Sequence, residues 1–304
     1  MIQILELFGG IGSPRIALRN LGIKTKSIDY VEIDQKAVNS YNAMFAQDLN
    51  YKTKSVVNWN LKPDILIHGS PCQDISIAGK KLGADQGSGT RSSLMWETLN
   101  IIKQMGSWRP RVVIWENVRG VLHKHMRDNF RKYLQEMEAL GYSNSFETLD
   151  ARDFGLPQNR KRVFTISLLK RDAFNFNILR HKKMINIQEL LEINVNDNYV
   201  IKSPSMLSRL PGASNSSFNG RLVPIDQWSY TITTKQNRCP NSGVVPISNG
   251  HYRLLTEREC WRLQGYSDDD YDAAASVNGR TALYMQAGNS IPIGIFESLF
   301  EVLI

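Results

Sequence analysis

The sequence predicts an α/β protein built on a doubly wound, mostly parallel sheet, with a smaller module inserted late in the chain. Short apolar strands alternate with helical stretches up to about residue 170, and this rhythm is typical of parallel sheets covered by helices. The rhythm then stops and resumes only near residue 255. With 304 residues, 42% of them hydrophobic, the chain is long enough for a full core and a second unit.

Five strands and several helices can be placed from the pattern. Pro14 suits the start of a helix and Gly22 the position just past its end, which predicts a helix over residues 14–21. Gly141 similarly ends a helix predicted over residues 129–140. Ligands of such sheets bind beyond the carboxyl ends of the strands. The predicted strands are residues 2–8, 25–34, 63–71, 110–118 and a fifth that begins at Arg162.

Residues 171–252 interrupt this pattern and are interpreted as an inserted, loop-rich module. They contain many Asn and Ser residues and several proline turns, and they carry nine Lys and Arg against five Asp and Glu. The module therefore holds half of the net charge of +8. Because Lys and Arg displace counterions from phosphates, this composition favours contact with nucleic acid. Residues 1–170 and 253–304 would form the main domain.

Composition disfavours several other classes of protein. The N-terminus shows neither a basic leader nor a cleavage site, and no segment approaches the roughly 20 apolar residues that span a bilayer. A soluble, cytoplasmic protein without membrane contact is expected. Cys72, Cys239 and Cys260 form no CxxC pair, which argues against a disulfide framework and a zinc site. No metal is expected.

A glycine turn, Phe8-Gly9-Gly10-Ile11-Gly12, follows the first strand and leads into the first helix. Such a turn is often only a tight connection, but glycine also lets the backbone approach a ligand closely. Glu32 ends the second strand about 20 residues further on, where a carboxylate can accept hydrogen bonds from ribose hydroxyls. Together the two features fit a cofactor that carries a nucleoside.

Side chains that are capable of catalysis stand near the ends of the next predicted strands. Cys72 lies in the polar turn Gly69-Ser70-Pro71-Cys72-Gln73. An isolated cysteine is most often a small buried hydrophobe, but these neighbours favour a loop thiol that acts as a nucleophile. Glu116 ends the next strand at the same edge. A lone glutamate there is most often a solvated carboxylate, but beside the cysteine loop it is a candidate proton donor to a base ring. Arg160 and Arg162 alternate along an extended segment, so both side chains can face this site.

Seven motifs in order carry a resemblance to a known family. The set LELFGGIG, VEID, GSPCQ, ENV, QNRKR, RLLTERECWRLQGY and QAGNS resembles the cytosine-C5 DNA methyltransferases of bacteria and phages, over residues 4–170 and 253–300. The resemblance implies a Rossmann-like, S-adenosylmethionine-dependent domain with an inserted target recognition domain at 171–252. It also implies methyl transfer to C5 of a flipped cytosine in a specific duplex sequence, with S-adenosylhomocysteine as product.

Carried over by position, the resemblance implies a role for each motif residue. Cys72 would add covalently to C6 of cytosine, and Glu116 would stabilise protonation at N3. Arg162 would contact O2 of the base, with Arg160 in support. Asn117 would hold the backbone of the Cys72 loop. The residues that resemble the family's cofactor pocket are Phe8, Gly10, Ile11, Gly12, Glu32, Ile33, Pro71 and Asn289.

Three further expectations come from the resemblance. Arg262 would brace the junction between the domains, and the C-terminal GNS segment would pack against the first motif. The family often has an acidic residue at the end of the third strand that holds the adenine amino group, whereas KTKSVV offers Ser55 here.

Contact with DNA is expected from two regions. Residues 73–95 suit a loop that closes over DNA, and residues 171–252 would read the groove. For most of the basic residues, phosphate contact is the expected role. The residues expected to contact DNA are Lys80, Lys81, Arg91, Arg209, Arg221, Lys235, Gln236, Asn237 and Arg238.

Three alternatives compete with this interpretation. Adenine-N6 and cytosine-N4 methyltransferases use a Pro-Pro-aromatic loop that the chain lacks. A C5 methyltransferase acting on transfer RNA shares most of the motifs, although a dedicated module of about 80 residues favours double-stranded DNA. A catalytically silent relative is disfavoured by intact Cys72, Glu116 and Arg162. A monomer is expected. The sequence leaves open whether the enzyme works with a cognate restriction endonuclease, protects a phage genome or acts alone.

Overall fold

The computed structural model describes residues 1–48, 50–57, 62–70, 91–210, 222–238 and 240–304, without the side chains of residues 26–28 and 91–92. The strands in these ranges are β1 (Ile2–Leu7), β2 (Thr25–Val31), β3 (Ile65–His68), β4 (Val112–Val118), β5 (Tyr142–Asp150), β6 (Gln158–Asn159), β7 (Lys161–Leu169), β8 (Ser229–Tyr230), β9 (Val245–Pro246) and β10 (Tyr252–Arg253).

Helices alternate with strands in the first half of the chain and predominate near its C-terminal end. The α-helices are α1 (Ser13–Asn20), α2 (Gln35–Met44), α3 (Met95–Gln104), α4 (Lys124–Ala139), α5 (Pro204–Leu207), α6 (Glu257–Arg262), α7 (Asp268–Ala275), α8 (Arg280–Asn289) and α9 (Ile293–Leu303). Short 3₁₀ helices occupy Arg91–Leu94, Gly106–Trp108, Arg119–Leu122, Ala151–Asp153, Phe176–Ile178, Ile187–Leu190, Asp197–Tyr199 and Ser248–Gly250.

Six strands form the central sheet, in the order β2-β1-β3-β4-β7-β5. The first four are mutually parallel, whereas β7 runs antiparallel to both β4 and β5. The α/β class and the five predicted strands are confirmed. The carboxyl ends of β1, β3 and β4 therefore meet at one edge of the sheet, where α/β proteins bind their ligands.

The sequence prediction missed β5 and the direction of β7. The segment YSNSFETLD has no clean apolar alternation, because β5 is the outer strand and most of its residues are half-buried or exposed. Periodicity alone does not show strand direction, so nothing in the apolar run of β7 distinguished an antiparallel strand from a parallel one.

The strands are apolar because helices cover both faces of the sheet. All four residues of β3 are buried, as are six of the seven residues of β4. Successive side chains of β1 divide between two hydrophobic clusters, Ile4 facing the cluster that includes Phe296 and Leu5 facing the cluster that includes Trp96. This alternation is what the pleat of a strand requires.

The C-terminal ends predicted for two helices, at residues 21 and 140, lie within one residue of the ends of α1 and α4. Pro14 occupies the first turn of α1, which ends at Asn20. Helix α4 ends at Ala139, and Gly141 follows with a φ of +90°. That backbone conformation favours glycine at the end of a helix.

Residues 171–252 pack in two environments. A small cluster of their own contains Ile201, Leu210, Leu222 and Val244. Other apolar residues of the range belong to the main core, namely Phe174, Leu179, Ile187, Ile225, Ile232 and Val245. β10 also pairs with β9 across the predicted boundary at residue 252. The predicted module therefore shares part of its packing with the main domain.

The end of α8 lies directly against residues 233–234 of this module. A Cβ atom on Gly288 would lie 2.4 Å from the carbonyl carbon of Thr233 and from the backbone nitrogen of Thr234. Such a separation is far inside van der Waals contact, so only glycine allows the two segments to approach this closely.

We expect Gly288→Ala to lower the free energy of unfolding by about 1–3 kcal/mol, because the added methyl group forces two backbone segments apart. Gly279→Ala is the matched control: a Cβ on Gly279, at the start of the same helix, meets nothing within 4 Å. Denaturant unfolding of both variants measures the difference. Equal stability of the two variants would contradict the close packing.

Candidate active site

The glycine turn after β1 is held in a tight, specific conformation. Phe8, Gly10 and Gly12 have φ values of 56°, 53° and 76°. The Gly9 N–H donates to the Val31 carbonyl at 3.1 Å, and the Gly12 N–H donates to the Gly9 carbonyl at 2.9 Å. A Cβ on Gly12 would lie 2.6 Å from the Tyr41 ring, so both space and backbone conformation require glycine there.

Glu32 fastens this turn to the end of β2. One of its carboxylate oxygens accepts the Gly10 N–H at 2.9 Å, and the other accepts the N–H groups of Ile33 and Asp34 at 2.7 and 2.9 Å. The side chain is half-buried, and a carboxylate oxygen has more than one lone pair. Glu32 can therefore accept further hydrogen bonds from a ligand. The Ile33 side chain beside it is exposed.

A cavity opens between the turn and the segment before α9. Ser290 follows α8, and its hydroxyl lies 3.0 Å from that of Ser13 in α1, while the Tyr266 hydroxyl contacts both. The C-terminal GNS segment thus packs against the first motif, as the resemblance implied. The lining residues include the predicted Phe8, Gly10, Ile11 and Asn289, together with Glu6, Ser13, Gly69 and Ile291, which were not predicted.

A second group of polar residues lies where β3, β4 and β7 meet. The antiparallel register pairs Val118 with Arg162 and Glu116 with Phe164. The Arg162 Nε atom lies 3.2 Å from Glu116 Oε1. On the other side of the carboxylate, Glu116 Oε2 would lie 3.6 Å from a Cβ on Gly69. Glu116 is therefore held between Arg162 and the residue that follows β3.

Burial and charge act in opposite directions on Glu116. Burial raises the pKa of its carboxyl, while Arg162 and then Arg160 counter this by favouring the ionised form. The net result is a pKa above the usual range. Such a carboxyl can hold a proton at higher pH than an ordinary glutamate and can donate a hydrogen bond.

Ser70 fixes the start of the segment that leads to Cys72. The Trp115 Nε1–H donates to the Ser70 hydroxyl at 3.1 Å, and the Asn117 amide donates to the Ser70 carbonyl at 3.3 Å. All three residues are buried. These contacts correspond to the backbone-holding role implied for Asn117. Pro71 and Cys72 themselves lie outside the described residues.

Arg160 differs from Arg162 in what it contacts. It is buried, and its guanidinium donates to the carbonyls of Ile232, Gly288 and Ser290 at 2.9, 2.9 and 2.7 Å. Arg160 therefore ties β7 to both the predicted module and the C-terminal segment. Its effect on Glu116 is electrostatic, so it is a positioning residue.

The chain's similarity to known proteins agrees with this geometry. The sequence pattern of the C-5 cytosine-specific DNA methylase family matches this chain over residues 2–304. The chain belongs to this family. It is 30% identical over 364 residues to the type II methyltransferase M2.ScrFI of Lactococcus lactis subsp. cremoris, with 100% of this chain and 99% of that protein covered. It is 29% identical over 329 residues to the type II methyltransferase M.Bsp6I of Bacillus sp. (strain RFL6), at 99% and 98% coverage.

Solved structures show the same fold. The S. pombe Dnmt2 methyltransferase superposes with a TM-score of 0.80 at 18% identity, covering 100% of this chain and 98% of that one. The Entamoeba histolytica methyltransferase EhMeth gives 0.80 at 18%, with 99% and 97% covered. Family membership makes this methylase an enzyme that transfers a methyl group from S-adenosylmethionine to C5 of cytosine in DNA.

The residues of the cavity fit S-adenosylmethionine. The turn at Gly9 and Gly12 packs closely on tyrosine rings, because a Cβ at either position would meet one at 2.6 Å. Asn289, which lines the cavity, would supply an amide to this ligand, and Glu32, which holds the turn, would supply acceptors for its ribose. Ser55 stands where the resemblance would place an acidic residue for the adenine amino group. It is exposed, and its hydroxyl accepts the Val57 N–H at 3.2 Å.

The residues expected to contact DNA are only partly described. Lys235 and Arg238 are exposed, and Asn237 and Arg209 are half-buried. Gln236 is a correction: its side chain is fully buried and donates to the Ser242 hydroxyl, so it supports the loop and does not present a base-reading amide. Lys80, Lys81, Arg221 and the Arg91 side chain lie outside the described residues.

Arg262 contacts residues on both sides of the predicted domain boundary at residue 252. Its guanidinium donates to the Leu190 carbonyl at 3.0 Å and to both carboxylate oxygens of Asp268 at 2.7 Å.

In the described ranges, no helix is long and apolar enough to cross a membrane. No group of three or more His, Cys, Asp or Glu side chains among those residues could hold a metal ion.

We expect Arg162→Met to raise the pKa of Glu116 further, because it removes the nearest cation and leaves the effect of burial in place. A ¹³C titration of labelled glutamate carboxyls, assigned with Glu116→Gln, measures the change. Arg152→Met is the control, since the Arg152 guanidinium pairs with Asp150 instead. An unchanged Glu116 titration in Arg162→Met would show that the ion pair has no influence on this carboxyl.

Proposed function

We propose that Cys72 is the nucleophile of this methylase and that Glu116 and Arg162 hold the target cytosine. The observation that supports this most strongly is the Glu116–Arg162 ion pair beside Gly69, in which the Glu116 carboxyl is buried. Gly69 lies three residues before Cys72 in the sequence. A carboxyl and a guanidinium side by side match the N3 and O2 atoms of cytosine, one as proton donor and one as hydrogen-bond donor.

In the first step the Cys72 thiolate adds to C6 of the base. The electron pair of the C5–C6 double bond moves into the ring, and Glu116 stabilises protonation at N3 so that nucleophilic character gathers at C5. S-adenosylmethionine, when bound, supplies the methyl group to that carbon. Loss of the C5 proton to a base then restores the double bond, and the C6–S bond breaks to release Cys72.

The target base must leave the duplex stack before Cys72 can reach C6. Enzymes that act on a base in this way place it in a pocket, at a cost of a few kcal/mol for unstacking. We propose that residues 171–252 form the surface that recognises the surrounding sequence. The exposed cations Lys235 and Arg238 lie near Thr233 and Thr234, which contact Gly288 beside the active site. Phosphate contacts from these cations would set the position of the duplex.

We further propose that the methylase acts as a monomer on duplex DNA within a restriction-modification system. M2.ScrFI and M.Bsp6I, which it resembles over nearly their full lengths, are both named type II methyltransferases. A cognate restriction endonuclease would then recognise the same site and be blocked by the C5 methyl group.

Bisulfite sequencing of plasmid DNA from cells that express the methylase tests the proposed activity. We expect protected cytosines within one short, recurrent sequence. Uniform conversion of every cytosine would contradict methylation of DNA under these conditions, and labelled methyl transfer to transfer RNA would then test the RNA-directed alternative.

We expect Cys72→Ser to lower methyl transfer by about a thousandfold or more, because a serine hydroxyl is not ionised near neutral pH. DNA affinity, measured by fluorescence anisotropy, should stay close to that of the wild type. The wild type, but not the variant, should form a covalent complex with 5-fluorocytosine DNA, where elimination cannot occur. Cys239→Ser is the control and should retain the adduct. Full activity of Cys72→Ser would exclude the proposed nucleophile.

We expect an exchange of residues 171–252 with those of a relative of different specificity to change the methylated sequence. Because part of this range packs in the main core, the exchange should keep Phe174, Ile187, Ile232 and Val245. Bisulfite sequencing identifies the new site, and the same chimaera with Cys72→Ser is the unmethylated control. An active chimaera with the original site would place sequence recognition outside this range.

A further inference from the structure

The start of α4 and the turn before it carry an excess of positive charge that the chemistry described above does not use. Residues 119–132 contain five Lys or Arg residues and one acidic residue, so their net charge is +4. Residues 171–252 hold another +4 of the total of +8, so the rest of the chain is neutral overall. A concentration of one sign of charge in two segments indicates surfaces for a polyanion.

Three of these cations lie in a row along the exposed side of α4. The four buried residues of this helix are spaced three or four apart and face the sheet. Lys124, Arg127 and Arg131 have the same spacing, and all three are exposed. At the rise of a helix, about 1.5 Å per residue, the row spans about 10 Å. These three residues form the α4 basic face.

Acidic neighbours leave most of this charge uncompensated. Asp128 lies 3.9 Å from Arg131 Nη1, but the aspartate is 94% exposed, so water screens the pair. Lys124 and Arg127 form no ion pair with any carboxylate in the part of the chain that the structure describes. The other acidic residues of α4 lie in its last turn. The α4 basic face is therefore available to an anionic partner.

The α4 basic face begins at the edge of the sheet where the active site lies. A short 3₁₀ turn, Arg119–Leu122, joins β4 to α4, and Glu116 stands two residues before the end of β4. Because β4 and β5 both run antiparallel to β7, they are parallel to each other. The helix that joins them must therefore run back from this edge. Lys124 lies nearest the edge, and Arg131 lies about two turns further along.

The two basic segments lie on opposite faces of the sheet. Met126 and the other buried residues of α4 belong to the hydrophobic cluster that includes Trp96. Ile187 and Ile232, from residues 171–252, belong to the cluster that includes Phe296, on the other face. A duplex that brings a base to the edge between these faces has one flank towards residues 171–252 and the other towards α4.

We propose that the α4 basic face binds the phosphate backbone of duplex DNA on the flank of the recognition sequence that points away from residues 171–252. This inference rests on the sequence-reading role proposed for those residues. Phosphate contacts carry no sequence information, so the α4 basic face adds affinity and fixes orientation without selecting the site. Contacts on both sides of the target base then hold the duplex at two places while the base leaves the stack.

Fluorescence anisotropy with duplexes that carry the site found by bisulfite sequencing tests the proposal. One duplex is short, and two others are extended by about one helical turn, roughly 10 base pairs, on one flank or the other. Hemimethylation of a palindromic site leaves one target cytosine and makes the flanks distinct. We expect extension of one flank to raise the wild-type affinity. Three phosphate contacts give a salt dependence that reduces this gain about 40-fold between about 50 and 200 mM salt.

The variant that combines Lys124→Gln, Arg127→Gln and Arg131→Gln should lose the gain from that flank. Its plot of log affinity against log salt should be shallower than the wild-type plot by about 2.7, or 0.9 for each lost phosphate contact. The variant that combines Arg127→Lys and Arg131→Lys keeps the charge and should keep both the gain and the slope.

The matched control combines Lys24→Gln, Arg111→Gln and Lys170→Gln. These cations are equally exposed, but they flank β2, β4 and β7 at the opposite edge of the sheet. The control loses the same charge and should keep the flank gain and the wild-type slope. Equal losses in the control and in the α4 variant would show an effect of net charge alone and overturn the proposal.

A wild type that methylates its site but gains no affinity from either extended flank would overturn the role of the α4 basic face and leave the proposed function intact. The role is equally overturned if the α4 variant folds, by circular dichroism, and keeps the wild-type gain and slope. A folded wild type that neither binds nor methylates duplex DNA would overturn the proposed function as well.

Discussion

The antiparallel pairing of β7 with β4 is the constraint on which the active site depends. In the parallel part of the sheet, the carboxyl ends of β1, β3 and β4 meet at one edge. A parallel β7 would begin at the opposite edge. Because β7 runs the other way, its first residues lie at the carboxyl end of β4, and Arg162 reaches Glu116 at 3.2 Å. Arg162 could not reach Glu116 if β7 ran parallel to β4.

The C-terminal segment closes the same edge from a second side. Arg160 donates to the Gly288 and Ser290 carbonyls as well as to Ile232, and Gly288 leaves no space between α8 and residues 233–234. Ser290 then reaches back to Ser13 behind the glycine turn. One buried guanidinium therefore connects three regions that are far apart in sequence, which explains why QNRKR and QAGNS belong to one site.

Sequence patterns predicted the parts of the site that stand at strand ends. Glu116, Arg162 and the glycine turn follow or precede apolar runs, so their edge of the sheet could be inferred before their contacts were seen. The expectation for Gln236 was wrong because a polar residue in a polar loop carries no signal of burial. Glu6 was missed although it stands between Leu5 and Leu7 in the buried part of β1. An acidic residue between buried apolar neighbours is the unusual feature that marks a buried carboxyl.

The two buried carboxyls at this edge, Glu116 and Glu6, differ in how their charge is compensated. Glu116 has the Arg162 guanidinium at 3.2 Å, which favours its ionised form. Glu6 accepts a hydrogen bond from the Tyr41 phenol at 2.8 Å, and the charge of Arg15 also favours its ionised form. Burial raises the pKa of both groups. The ion pair with Arg162 therefore distinguishes the carboxyl at the end of β4 from the carboxyl near the end of β1.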